Sequence, residues 1–158
     1  MPIKIVTAVN QGRNAHKATE EEADNLQNTV YLCIGARIML STNLWTEIGL
    51  VNGSMGTVSD ILWARGQDPF VSLPFAILVE FDGYIGPQFP GCNAGIVPVF
   101  TELRRFDYQG IACTRRQFPL RLAYGITVHK SQGLTLSKAV INLAAKEHAL
   151  SLSYVAVS

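Results

Sequence analysis

The chain has 158 residues, of which 48% are hydrophobic and 16% are charged, so we expect one domain, or one small domain with part of another. No apolar stretch reaches the roughly 18 to 20 residues that cross a bilayer, and the N-terminus lacks the apolar core of a signal peptide. We therefore expect no membrane partner and an intracellular location, in the nucleus or mitochondrion of a eukaryote. The scattered cysteines predict no disulfide framework.

The net charge of +1 hides an uneven distribution of charge along the chain. Residues 1–103 carry 5 basic and 10 acidic side chains, a balance of −5, whereas residues 104–158 carry 8 basic and 2 acidic side chains, a balance of +6. The C-terminal third therefore has the charge to attract a polyanion. Segregated surface charge is common in proteins of many functions, so it does not by itself identify nucleic acid as the partner.

The first part of the chain reads as a strand followed by polar sequence. Residues 3–9 are rich in β-branched side chains, which is typical of a short strand. Thr19, followed by three glutamates, has the composition of a helix start and predicts a short helix near 19–26.

The middle of the chain has a β pattern. Two apolar runs, 29–35 and 36–40, are separated by a break at Gly35, and an Asn52-Gly53 pair predicts a tight turn. Gly56 suggests a bulge before the next strand. Further strands are predicted at 57–63, 75–81, 95–100 and 110–118, with loops at 65–69, 82–91 and 104–110. Short strands at these intervals predict a small antiparallel barrel.

The pattern changes after residue 120. A polar turn leads into a predicted strand at 138–143, then a short helix near 145–151 and a strand at 154–157. This alternation fits an α/β layer with parallel strands. The predicted fold is therefore mainly β or α+β, with a β-barrel placed inside part of an α/β domain.

The most informative run is AYGITVHKSQGLTL at residues 123–136. Thr127, His129 and Lys130 offer hydroxyl, imidazole and ammonium donors on a turn between apolar segments, which suits phosphate oxygens. Gln132 adds an amide, and Gly133 allows a ligand to approach the backbone closely. The alternative from the residues alone is a polar surface turn whose side chains are merely solvated.

This run resembles motif V of the PIF/RecD-like superfamily 1B DNA helicases, whose form is close to A-[YW]-[AS]-x-T-[IV]-H-K-[SA]-Q-G-x-T-[LF]. Gly125 stands where Ala or Ser is more usual. Upstream, GARIMLSTNLWTEIGLVNGSMGTVSDI, VEFDGYIG and TRRQFPLRLAYG resemble the family's inserted SH3-like barrel and the return from it. Downstream, SYVAVS resembles the start of motif VI. The resemblance covers roughly residues 29–158.

The resemblance implies a domain organisation and a set of contacts. Residues 1–28 would be a variable lead-in, 29–120 an SH3-like barrel region with preceding RecA-like strands, and 121–158 part of the second RecA-like domain. Single-stranded DNA would be the partner. The residues implied as DNA contacts are Thr127, His129 and Lys130, and those implied beside the nucleotide are Gln132 and Gly133.

ATP and Mg²⁺ would serve the complete enzyme, a 5′ to 3′ helicase by resemblance, with neither expected on this chain alone. No glycine precedes a lysine, as a phosphate loop requires, and no Asp-Glu pair supplies a Walker B element. The chain also stops at Ser158, before the family's motif VI arginine. We therefore expect a fragment that is inactive as an ATPase, with the N-terminal motor half supplied in cis or in trans. The alternatives are a stand-alone SH3-like module that binds nucleic acid or protein, and a non-functional remnant.

Other candidate residues are less specific. Arg115, Arg116 and Arg121 are predicted to form a basic rim for DNA near the last barrel strand. Trp45 and Trp63 are suited to stacking on bases, although barrel core or edge is the commoner place for such side chains. The cysteines Cys33, Cys92 and Cys113 lack metal-ligand spacing, so no metal site is predicted.

Overall fold

The computed structural model describes residues 3–69 and 71–124, and in this part the chain is mainly β. Two 3₁₀ turns, Ala15–Lys17 and Thr46–Ile48, interrupt the strands. The strands are β1 (Lys4–Thr7), β2 (Val9–Gln11), β3 (Thr29–Leu32), β4 (Arg37–Leu40), β5 (Met55–Leu62), β6 (Ala76–Phe81), β7 (Ile96–Val99), β8 (Glu102–Tyr108), β9 (Ile111–Gln117) and β10 (Leu120–Leu122). The predicted mainly β fold class is confirmed. No helix among these residues has the length and apolar character to cross a membrane.

The strands form three antiparallel sheets. The largest has the order β10-β4-β5-β6-β7, the second has the order β2-β9-β8, and β1 pairs with β3. Within residues 3–69 and 71–124, the pairings leave β7 and β10 as the edges of the five-stranded sheet. The predicted barrel strands are therefore present, but the described pairings do not close them into a barrel.

One apolar core lies between the five-stranded sheet and the β1–β3 pair. Alternate side chains of the paired strands point into it because the side-chain period of a strand is two. Leu120 on β10 and Phe118 just before it cover one end of this core. The buried core side chains are Val6, Val30, Leu32, Ala36, Ile38, Leu40, Leu50, Val58, Ile77, Val79, Phe81, Val97, Val99, Phe118 and Leu120.

The loop predicted at 104–110 is wrong over most of its length, because residues 102–108 form β8. Its arginines and Asp107 suggested a loop. In the structure, half-buried side chains such as Phe106 and Tyr108 alternate with exposed ones, and β9 pairs with every residue of β8. Gln109 (φ 54°) and Gly110 (φ 77°) form the two-residue connection, as expected of a hairpin turn with two positive φ angles.

The helix predicted near 19–26 is also wrong, although its start signal is real. The Thr19 N–H donates to Glu22 Oε2 at 2.7 Å, and the Glu22 N–H donates to Thr19 Oγ1 at 3.2 Å, which is a capping box. Asp24 (φ 52°) and Asn25 (φ 64°) then adopt left-handed conformations. The chain consequently leaves the helical path after a single turn.

In the β4–β5 connection, the structure agrees with the predicted turn but not with the predicted bulge. Gly53 has φ 98° in the predicted turn, and the Ser54 N–H donates to Val51 O at 2.9 Å across that turn. The bulge predicted at Gly56 is wrong, since the register of β5 against β6 shifts between Val58 and Asp60. Gly56 instead allows β6 to approach closely: a Cβ there would lie 2.7 Å from Glu80 O.

Residues Met1–Ala123 form one compact unit. It includes β1 and β2 from the region expected to be a variable lead-in, and both strands pair with later ones. The predicted strand at 138–143, the helix near 145–151, the strand at 154–157 and the α/β layer that they imply lie outside the described residues. The division into three predicted segments, 1–28, 29–120 and 121–158, stays a prediction.

Candidate nucleic-acid interface

Strand β10 leads the chain into the predicted phosphate-binding turn. Leu122 pairs with Ile38 on β4, and the Ala123 N–H donates to Arg37 O at 2.9 Å. Tyr124, the second residue of the motif, is 71% exposed. The predicted DNA contacts Thr127, His129 and Lys130 and the predicted nucleotide neighbours Gln132 and Gly133 lie outside the described residues.

Arg115 does not lie on an exposed rim, contrary to the sequence prediction. It points inward from β9, together with Cys113 and Gln117, and its side chain is fully buried. Alternation along the strand is the physical reason, because neighbouring residues of one strand face opposite sides of the sheet.

The Arg115 guanidinium holds the segment that links β2 to β3. Its Nε donates to Asn10 Oδ1 at 2.9 Å. Its two terminal nitrogens donate to four backbone carbonyls, at 3.0 Å to Ala15, 2.9 Å to Ala18, 3.5 Å to Thr19 and 2.9 Å to Leu26. The Ala15 and Thr19 carbonyls also accept the N–H groups of Ala18 and Ala23. Among the described hydrogen bonds, those to the Ala18 and Leu26 carbonyls come from Arg115 alone, and buried carbonyls are rarely left unpaired. Arg115 is therefore a structural residue.

The charge of Arg115 is balanced at a distance. Burial lowers the pKa of the Arg115 guanidinium, while the carboxylates of Glu20 and Glu22 act in the opposite direction. The side chain still carries its positive charge at neutral pH, because a guanidinium is too basic to lose its proton in a protein. The Phe106 ring adds a cation–π contact, with its centroid 5.7 Å from the guanidinium carbon.

Two further arginines of the basic C-terminal third pair with the same segment. Arg104 on β8 forms an ion pair with Asp24 at 3.0 Å. Arg121 on β10 pairs with Glu20, and both side chains are partly buried. Of the five arginines between residues 104 and 121, Arg104 and Arg121 are thus paired with carboxylates and Arg115 is buried, so in this part of the chain the charge counted along the sequence overstates what a ligand meets.

Arg116 is the residue of the predicted rim that is exposed. It lies on the outer face of the three-stranded sheet, opposite Val9 on β2 and Leu103 on β8. Within the part of the chain that the structure describes, no carboxylate forms an ion pair with it. A planar, exposed guanidinium of this kind suits a phosphate.

Two phenylalanines lie near Arg116. Phe75 precedes β6 and Phe100 follows β7, and the pairing of Ile77 with Val99 brings both to the same end of these strands. Their ring centroids are 5.6 Å apart with an interplanar angle of 79°, an edge-to-face contact. A cavity of about 330 Å³ opens beside them, and we call it the Phe75–Phe100 groove. Its lining residues are Ala64, Gln67, Leu73, Pro74, Phe75, Phe100, Thr101 and Arg116.

The apolar pattern of the sequence does not predict this groove. Phe75 and Phe100 lie at the ends of predicted strands, where they add to the apolar runs. The available signal was a break in alternation: Phe75 stands beside Ala76, and Phe100 beside Val99. Two adjacent apolar residues cannot both face one core from a regular strand. One of each pair therefore had to face outward.

The two tryptophans differ in environment. Trp45 is 40% exposed and forms an isolated bridge with Leu50. Trp63 is partly buried, and the Lys4 ammonium lies 4.8 Å from the centroid of its ring. Among residues 3–69 and 71–124, no group of three or more His, Cys, Asp or Glu side chains is placed to hold a metal ion.

The chain is similar in sequence to a part of several DNA helicases. It is 32% identical over 160 residues to the ATP-dependent DNA helicase PIF7 of Trypanosoma brucei brucei, an alignment that covers 89% of this chain and 16% of that protein. It is 34% identical over 116 residues to the ATP-dependent DNA helicase PIF1 of Danio rerio, covering 72% of this chain and 15% of that protein. The chain thus spans about a sixth of these relatives. No family model matches it.

The fold is similar to solved Pif1 helicases over nearly the whole chain. The crystal structure of Pif1 helicase from Candida albicans matches with a TM-score of 0.66 and 26% identity, covering 98% of this chain and 36% of that one. A Bacteroides Pif1 bound to single-stranded DNA matches in fold with a TM-score of 0.64 and 24% identity, covering 98% and 32%. Sequence and fold together show that these 158 residues are a Pif1-like region of the PIF/RecD-like DNA helicases.

Proposed function

We propose that this region serves an ATP-dependent DNA helicase by gripping single-stranded DNA and forming part of the ATP cleft. The motif at residues 123–136 carries the proposal, because directly after β10 in the sequence it clusters side chains that can donate hydrogen bonds to phosphate. The curated relatives are ATP-dependent DNA helicases, and a solved structure with 26% identity concerns two Pif1 helicases unwinding forked double-stranded DNA. Movement 5′ to 3′ is part of the same proposal.

ATP and Mg²⁺ belong to the proposal for the complete enzyme. Gln132 and Gly133 would lie beside the nucleotide, whereas the cradle for the phosphates and the metal would come from a motor half that this sequence does not contain. The 158-residue polypeptide should then bind DNA without hydrolysing ATP.

A binding titration tests the DNA grip. We expect the polypeptide to bind a fluorescein-labelled single strand with a dissociation constant of about 10⁻⁴ to 10⁻⁶ M, the range of non-specific binding. Lys130→Ala should reduce the dependence of log K on log[salt] by about one contact. His129→Ala should weaken binding while leaving the far-UV spectrum unchanged, because a donor on a turn contributes little to the core.

Arg13→Met is the charge-matched control for Lys130→Ala, since Arg13 is exposed and lies outside the motif. Identical titrations for the wild type, Lys130→Ala and His129→Ala would remove the motif from the account of DNA binding.

The second candidate function is a stand-alone binding module. One observation favours it: residues Met1–Ala123 form a compact unit with a core of their own. Under this function the two motif variants would bind DNA as the wild type does, and substitutions on the β-sheet surface would weaken binding instead.

A further inference from the structure

We propose that the Phe75–Phe100 groove stacks a base of single-stranded nucleic acid while Arg116 holds a neighbouring phosphate. This inference rests on the proposed function and assigns it a second contact, on the β-sheet part of the chain. The contact is separate in sequence from the motif at 123–136, and its chemistry is different.

The two aromatic rings are available to a ligand. Phe75 is 58% exposed and Phe100 is 48% exposed, and neither belongs to the apolar core. In an edge-to-face pair, one ring contacts its neighbour through its edge, so this contact covers neither face of that ring and leaves a face for a third planar group. Exposed aromatic side chains in contact with each other are more informative than single exposed apolar residues, which every protein surface contains.

The groove carries a positive charge, which favours an anionic ligand. Arg116 is the charged residue among the eight that line it, and no carboxylate of the described chain lines it. Gln67 and Thr101 add neutral polar groups to the wall, and both can donate a hydrogen bond. An aromatic platform beside an arginine is a combination that binds single strands without sequence preference, because bases stack on the rings and phosphates meet the cation.

The flanking sheet extends the same surface. Val9 and Leu103, on either side of Arg116, are 49% and 44% exposed. They keep carboxylates away from the guanidinium and offer apolar contact to a sugar ring. The groove volume of about 330 Å³ is at the small end of ligand pockets, roughly 300 to 1,000 Å³. This size suits one base better than a folded partner.

The test compares two fluorescent strands of equal length on the 158-residue chain: oligothymidine, and an abasic strand that keeps the phosphates but has no bases. Stacking requires bases, so the wild type should bind oligothymidine more tightly than the abasic strand, by about five-fold or more. Phe75→Ala and Phe100→Ala should each remove most of this preference. Phe75→Trp should retain it, because the larger ring still stacks. Ile85→Ala, at an apolar position that is 84% exposed and outside the groove lining, is the matched control.

The phosphate contact has its own readout. Arg116→Met keeps much of the side-chain length but removes the charge, so it should weaken binding of both strands and reduce the salt dependence by about one contact. Arg13→Met serves again as the charge control. A spectrum and a thermal melt of each variant establish that it is folded.

The outcomes separate this inference from the proposed function. Equal binding of the two strands by the wild type, or an intact preference in Phe75→Ala and Phe100→Ala, would overturn the groove as a base site. Lys130 contacts phosphate under the proposed function, so Lys130→Ala should weaken binding of both strands and leave the preference for oligothymidine unchanged. If Phe75→Ala and Phe100→Ala keep the preference while Lys130→Ala still weakens binding, the inference is rejected and the proposed function stands. Absence of binding to either strand would reject both.

Discussion

Replacing Arg115 should destabilise the protein far more than replacing the adjacent Arg116. Arg115→Met fills a similar volume but removes the hydrogen bonds that Arg115 donates to Asn10 and the four backbone carbonyls. A buried polar group left without a partner costs about 1 to 3 kcal/mol, and removing one side of a buried charged network costs about 3 to 5 kcal/mol. Since the segment can partly move into water, we expect a loss of about 3 kcal/mol, a large fraction of the roughly 5 to 15 kcal/mol that holds a domain together.

Urea denaturation followed by far-UV circular dichroism measures the effect. With a slope of about 1 to 3 kcal/mol per molar urea, the midpoint of Arg115→Met should fall by about 1 to 3 M. Arg116→Met is the matched control, with the same chemical change one residue further on the exposed face of the same strand, and it should shift the free energy of unfolding by less than about 0.5 kcal/mol.

Hydrogen exchange should localise the damage of Arg115→Met to residues 12–28, whose carbonyls lose their donor. Equal unfolding free energies for the Arg115 and Arg116 variants would show that the buried network contributes nothing that water does not replace. Arg115→Lys should lie between wild type and Arg115→Met, because an ammonium keeps the charge with three donors in place of five.

Three further results are expected. Gly56→Ala should lower the thermal midpoint, because the new Cβ would lie 2.7 Å from Glu80 O and overpacking costs about 1 to 3 kcal/mol; an unchanged midpoint would mean that β6 moves away freely. The hydrogen bond from Arg37 lowers the pKa of the Asp82 carboxyl, so its stabilisation is present above the unfolded pKa of about 3.9 and is lost as pH falls through the folded pKa. Wild type should therefore lose at most about 1 kcal/mol of its advantage over Asp82→Asn as pH is lowered below about 4, and parallel pH profiles would contradict this. Purified 158-residue polypeptide should release no phosphate from ATP above a no-protein control, with or without single-stranded DNA.

Local patterns in the sequence predicted most strands because those strands are apolar and bounded by turn residues. The runs at 75–81 and 95–100 became β6 and β7, and the turn at Gly53 formed where the Asn-Gly pair placed it. Strand β8 was missed because its charged residues resemble a loop, and only pairing with β9 reveals its period of two. The helix near 19–26 failed for a related reason: a capping box starts a helix, but tertiary contacts from Arg104 to Asp24 and from Arg115 to the Leu26 carbonyl hold the chain that follows it.

The candidate site was predictable only where it is local. The motif at 123–136 is a contiguous run and could be identified from spacing. The role of Arg115 depends on carbonyls 89 to 100 residues away in sequence, and no local pattern carries that information. The Phe75–Phe100 groove similarly combines side chains next to the ends of β6 and β7 with Arg116 on β9, so its existence depends on how two sheets meet.

The long separation between Arg115 and its acceptors sets an order for folding. Residues 12–28 leave the ribosome well before β9 is made, and their carbonyls have no guanidinium to meet until residue 115 follows. Strand β2 also cannot pair until β9 has been made, because β9 is its partner. Contacts of this span form late, since closing a long loop must come first. Residues 12–28 should thus be among the last of the described residues to fold, and during synthesis they would remain open to chaperones and proteases.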